Sequence, residues 1–121
     1  MNTVLLIEDD QLLIKMYSTK FESEGFIVLR AEDGQKGLDV AMEKIPDIIL
    51  LDMMMPKLSG DEVLKQLKAS EKTKDIPVIV FSNLSQEDEA KDVLALGAKE
   101  YLVKANLTPA EVVGKVKQYL K

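Results

Sequence analysis

The chain has 121 residues, 46% of them hydrophobic, 31% charged and 5% aromatic, with 21 acidic against 16 basic side chains and a net charge of -5. That length suits one domain, residues 1–121, with a core large enough to fold unaided, and the acidic balance argues against direct binding of a nucleic-acid backbone. Cysteine and histidine are both absent, which excludes disulfides, zinc sites of the usual kind, thiol chemistry and imidazole acid-base catalysis and leaves carboxylates, hydroxyls and lysines.

Residues 4–7 form a continuous run of branched apolar side chains and predict a first strand. Leu13, Tyr17 and Phe21 then recur at four-residue steps, predicting a helix over 12–24 that Gly25 ends. Residues 26–29 predict a second strand, and Leu38, Ala41, Met42 and Ile45 a second helix. Residues 48–51 are the third apolar run. Gly60, Val63, Leu64 and Leu67 follow with helical period, with Ser59 as a cap and Glu62 three residues on. Residues 78–81 predict a fourth strand, and Ala90, Val93 and Leu94 a narrower helical stripe between Ser85, paired with Asp88, and Gly97. A shorter, weaker run at 101–103 comes fifth. Val112, Val113, Val116 and Tyr119 mark the last helix, with Thr108 and Glu111 as capping box and Pro109 at the first helical position.

Runs apolar on both sides of the pleat suit parallel strands covered on both faces. Each interval between them holds one helix, so right-handed crossovers predict an α/β, doubly wound sheet of five βα units. No apolar segment approaches the roughly 20 residues of a membrane span, and no basic lead-in precedes the first run. A cytoplasmic protein without membrane insertion is the expectation.

Ligands of such sheets bind outside the carboxyl ends of the strands. There the first strand presents Glu8, Asp9 and Asp10, the third Asp52, the fourth Ser82 and Asn83, and the fifth Lys104. A triple acid is the wrong chemistry for a nucleotide phosphate, which wants glycines and hydroxyls. Converging carboxylates raise one another's pKa unless a hard divalent cation sits among them, and magnesium fits because it takes one or two carboxylates and keeps positions open. Asp9 and Asp52 are the expected direct ligands, with Glu8 and Asp10 acting through water. Taken singly, each acid also reads as a solvated strand end, and Asp10 as a cap of the first helix. Four strand ends carrying complementary groups are harder to ascribe to chance.

Glu8 and Asp9, Asp52 followed by Met53, Met54, Met55, Pro56 and later Gly60, then Ser82, Tyr101 and Lys104, resemble the receiver domain of two-component response regulators over essentially the whole chain. The resemblance implies a single-domain, chemotaxis-regulator-like receiver with a flavodoxin-like fold and strand order 2-1-3-4-5. It implies Asp52 as phosphoryl acceptor, magnesium held by Asp9, Asp52 and the Met54 carbonyl, Lys104 facing the phosphoryl oxygens, Ser82 as the hydroxyl that moves to bind them and Tyr101 as the switch aromatic. Packing at the sheet edge explains Tyr101 equally well. The implied donor is a histidine kinase or histidine phosphotransfer protein. The implied output is a changed surface on helix 4, strand 5 and helix 5 for an unknown downstream protein.

Two departures from the family pattern stand out, Asn83 and Ala105, and Met54 and Leu84 occupy positions that by resemblance border the phosphoryl group. Asn83 stands where a small residue is usual. Met54 and Leu84 lie two residues beyond Asp52 and Ser82, and apolar side chains there predict a long-lived acyl phosphate. Ala105 replaces the usual proline after Lys104, and a cis bond costs about 2.5 to 4 kcal/mol before a non-proline residue, so a trans Lys104 to Ala105 bond is expected. A phosphatase of the haloacid dehalogenase class is the competing enzyme, disfavoured because it needs an acid where Met54 stands. A scaffold that binds without phosphorylation is the third reading.

Overall fold

A computed structural model describes residues 2–55, 57–82 and 87–120. The elements alternate as β1 (Thr3–Ile7), α1 (Gln11–Ser23), β2 (Ile27–Ala31), α2 (Gly34–Lys44), β3 (Ile48–Asp52), α3 (Gly60–Ala69), β4 (Val78–Ser82), α4 (Glu87–Ala95), β5 (Glu100–Val103) and α5 (Pro109–Lys117), with a 3-10 turn at Lys104–Asn106. All strand pairings are parallel, in the order β2-β1-β3-β4-β5. This is the expected doubly wound, flavodoxin-like sheet.

Side chains alternate across a strand, and here the alternation splits the core in two. Leu5, Ile7, Ile49, Leu51, Val78 and Val80 pack with Leu38, Val63, Leu64 and Val93 from α2, α3 and α4. Val4, Leu6, Ile48, Leu50, Ile79 and Phe81 pack with Tyr17, Phe21, Val112 and Val116 from α1 and α5. Every residue of β3 and β4 is buried, as runs apolar on both faces predict.

The edge strand β2 differs. It begins one residue later than its apolar run and extends to Ala31, the only one of its five residues that is fully buried; Ile27 is exposed. Phe26 lies before the strand, buried and edge-on to Phe21 with centroids 5.1 Å apart. At an edge only one ladder of hydrogen bonds is made and helices cover the faces incompletely.

Helix boundaries show which local signals held. Gly25 and Gly97 end their helices at φ +90° and +112°, where L side chains are strained. Thr108 and Glu111 form the capping box, with Pro109 at the first position. Ser59 precedes α3 but makes no capping bond; its hydroxyl turns to the carboxylate of Asp61 at 2.5 Å. Ile45 is not in α2. It is the left-handed residue that closes the helix, φ +46°, and is exposed. Leu94 is exposed as well, so Val93 alone anchors that turn of α4. Tyr119 lies beyond α5 and donates to Glu100 at 2.7 Å. The proposed cap Ser85, and Asn83 and Leu84, lie outside the described residues. No helix among the described residues is long and apolar enough to cross a membrane.

Candidate functional site

The carboxyl ends of β1 and β3, with the turn after β5, enclose a cavity of about 420 Å³ lined by Glu8, Asp9, Asp10, Asp52, Met54 and Lys104. Pairing places them. Glu8 continues β1 by donating its amide to the Ala31 carbonyl at 3.0 Å, so it stays in step with Val4 and Leu6 on the α1/α5 side. Asp52 closes β3 in step with Ile48 and Leu50 and is 4% exposed. Gly60 lets α3 approach this strand end, since a Cβ there would stand 2.7 Å from the Asp52 carbonyl oxygen.

Lys104 reaches in from the 3-10 turn. Its ammonium lies 2.6 Å from Glu8 Oε1 and 3.3 Å from Asp52 Oδ1, and 4.7 Å over the ring of Phe81, which meets Tyr17 edge-on. The Lys104–Ala105 bond is trans, because no peptide bond among the described residues is cis. The other Glu8 oxygen accepts from the amides of Asp9 at 2.9 Å and Asp10 at 3.3 Å. Both oxygens of Glu8 are therefore engaged within the protein. Asp10 caps α1, accepting from Leu12 and Leu13, the plainer of its two readings. Met54 donates its amide to Asp52 Oδ1 at 3.4 Å while its side chain is 69% exposed.

The electrostatics follow from this crowding. Burial, then the hydrogen bond and charge of Asp52, push the Glu8 carboxyl up against the opposing pull of Lys104. Loss of hydration and the neighbouring Glu8 raise Asp9. Burial works against the Lys104 charge, but its hydrogen bond to Glu8 and the charges of Asp52 and Glu8 outweigh that and raise its pKa. Glu8, Asp9 and Asp52 each offer an oxygen within 4.8 Å of the others. Three carboxylates and one ammonium leave two uncompensated negative charges, and a hard, oxygen-seeking divalent cation matches that donor set.

Ser82 ends β4 in step with Val78 and Val80, on the α3/α4 side, and is 2% exposed. A side-chain hydrogen bond joins it to Tyr101, whose hydroxyl also donates to Glu89 of α4 at 3.2 Å. Tyr101 packs against the core on that side, and burial raises its phenol pKa. The structure thus gathers Glu8, Asp9, Asp52, Met54 and Lys104 around one cavity and sets Ser82 and Tyr101 as a linked pair beside it. Sequence reasoning missed two partners. Phe81 under Lys104 could have been found from strand alternation, whereas Glu89 carries no local signal because its tie to Tyr101 spans a turn between elements.

The sequence matches the family described as response regulator receiver domain over residues 4–117. The phosphate regulon transcriptional regulatory protein PhoB of Pseudomonas aeruginosa is 35% identical over 119 residues, 98% of this chain and 52% of PhoB, so the chain spans about half that relative's length. The polar-differentiation response regulator DivK of Brucella ovis is 32% identical over 118 residues, 98% of this chain and 95% of DivK. Among solved structures, a chain of the CheX-CheY-BeF3-Mg2+ complex from Borrelia burgdorferi matches with a TM-score of 0.89 and 33% identity, covering 99% of this chain and 90% of that one.

Proposed function

This chain belongs to the response regulator receiver family of two-component signalling, and from that premise we propose that Asp52 is its phosphoryl acceptor. The donor is a phosphohistidine on a partner kinase or phosphotransfer protein. An Asp52 oxygen attacks phosphorus in line, the P–N bond breaks with its electrons returning to the imidazole, and an acyl phosphate remains on the chain. One observation carries this reading: the nearly buried Asp52 carboxylate at the mouth of the central strand, 3.3 Å from a lysine ammonium and beside two further acids.

Asp9, Asp52 and the Met54 carbonyl would hold magnesium, with Glu8 acting through water because Lys104 and two amides already occupy its oxygens. Bound there, the ion supplies positive charge against the phosphoryl oxygens, where this reaction gains most of its catalysis. Lys104 neutralises the same oxygens from the β5 side, and its ion pair with Glu8 holds it ready. The Borrelia complex contains both Mg2+ and BeF3 by its description, which supports this assignment.

Ser82 then senses the new dianion. Drawing its hydroxyl toward the phosphoryl group loosens its bond to Tyr101, and the change passes to the surface of α4, β5 and α5 that a downstream protein reads. The protein acts as a cytoplasmic switch that promotes its own phosphorylation and turns over no substrate.

Incubation with Mg2+ and acetyl phosphate, followed by intact mass, tests the proposal. One added phosphate per chain is expected, and none when the metal is chelated before the phosphodonor is added. Labelling that persists in Asp52→Asn, or continuing turnover of a phosphomonoester, would overturn it.

A further inference from the structure

A groove of about 730 Å³ runs between α3 and α4, with Met53, Met54 and Leu96 among its apolar lining. Its rim carries Asp61, Asp88, Glu89 and Asp92 against one cation, Lys65. Asp88 and Asp92 are exposed and one helical turn apart, so their like charges repel along α4. Neither they nor Glu89 makes an ion pair among the described residues.

We propose that this groove docks a cationic amphipathic helix of a partner protein. The apolar face of that helix packs on the methionines and Leu96, and its lysines or arginines meet the acidic rim. Methionine is unbranched and polarizable and adapts to varied apolar partners, and helix-in-groove recognition needs an apolar floor with charged edges of this kind. The rim repels nucleic acid and other anions. A second copy of this chain, with net charge -5, is a poor occupant for the same reason.

The groove touches the Asp52 site at two points. Met54 lines both the groove and the cavity around Asp52, and Glu89 on the groove wall accepts from Tyr101, which bonds Ser82. A helix seated there therefore contacts the residue after next from the acceptor and the partner of the sensing pair.

The test uses the unphosphorylated full chain, so its outcome is independent of the role proposed for Asp52. A fluorescein-labelled helical peptide of leucines and lysines with one apolar face is titrated and followed by anisotropy, beside a peptide of the same composition in scrambled order. Saturable binding by the first alone is expected, with the Met54 methyl resonance shifting during the titration. Asp88→Asn with Asp92→Lys should weaken it by roughly tenfold, while Asp39→Asn with Glu43→Lys on α2, an equal change of charge, should not. Equal binding of the scrambled peptide, equal weakening by the α2 variant, or a stationary Met54 signal would overturn the proposal. So would concentration-dependent dimerisation without peptide that the α4 variant abolishes, since a second copy would then be the occupant.

Discussion

The two sides of the sheet end differently at the same rim. On the α1/α5 side stand charges: Glu8, Asp52 and Lys104, the last two 3.3 Å apart with Phe81 beneath the ammonium. On the α3/α4 side stand hydroxyls: Ser82 and Tyr101, bonded to each other and through Tyr101 to Glu89. Phe81 and Ser82 are neighbours in the chain yet face opposite layers, because strand side chains alternate. A sheet can therefore place a buried charge cluster and a pair of hydroxyls within one residue of each other and still wire them to different helices. The charged side holds more electrostatic energy, since burial and like charges raise the pKa of Glu8. The hydroxyl side, held by hydrogen bonds of two hydroxyls with a single carboxylate and no buried ion pair, is cheaper to rearrange.

The largest expected effect lies on the charged side. Asp52→Asn should abolish labelling by acetyl phosphate, read by intact mass, while leaving the fold intact. Next comes Lys104→Met, which leaves Glu8 and Asp52 without their cation. Breaking a buried pair costs about 3–5 kcal/mol, and the observed loss should be smaller at low pH. The sign follows from Glu8: its pKa, already raised in the folded state from 4.5, rises further without Lys104. A raised carboxyl favours folding below its unfolded pKa and loses that contribution as pH rises through the folded value. Urea denaturation near pH 5 and pH 8 should show the greater loss at pH 8; equal losses would break the contrast between the two sides.

Met54 sits between the sides. A long-lived acyl phosphate, lasting many minutes, is expected because an exposed thioether two residues from Asp52 cannot position an attacking water. Met54→Asn should shorten its lifetime by roughly tenfold, a decade of rate being about 1.4 kcal/mol of barrier; unchanged decay by intact mass would remove Met54 from that role.

Asp9→Asn is a smaller change with two opposite readouts. The folded-state pKa of Asp9 is raised above 3.8, so its charge disfavours the metal-free fold at neutral pH. Neutralising it should raise the melting temperature without metal, by at most about 1 kcal/mol of stability because the residue is exposed and screened. The same change should reduce the stabilisation gained on adding Mg2+. Smallest in its effect on labelling, Tyr101→Phe removes the hydroxyl's bonds to Ser82 and to the Glu89 carboxylate, together worth roughly 1–3 kcal/mol, and should leave labelling of Asp52 at one phosphate per chain. A loss of labelling comparable to that of Asp52→Asn would mean that the hydroxyl side also carries the chemistry.

Much of this was legible in the chain, because its signals are local. The apolar runs at 48–51 and 78–81 became fully buried central strands, and Thr108 with Glu111 became the predicted capping box. Position at a strand end was enough to bring Asp9, Asp52 and Lys104 to one cavity. Where the reading slipped, a neighbour had intervened. Ile45 keeps helical spacing but turns into the left-handed region to lead into β3, and Ser59 gives its hydroxyl to Asp61 rather than to the helix.

Apolar periodicity, strand-end acids and the lysine after the fifth strand determined the doubly wound fold, the strand-end rim where the polar side chains gather and the family to which the chain belongs. These are properties of residues within a few positions of one another. Only the tertiary structure decided that Lys104 pairs most closely with Glu8, at 2.6 Å, that Tyr101 bridges Ser82 and Glu89, and that α3 and α4 leave an acid-rimmed groove open beside the site. Those contacts join residues as far as 96 positions apart. Their geometry depends on how helices settle on the two faces of the sheet, which no local pattern encodes.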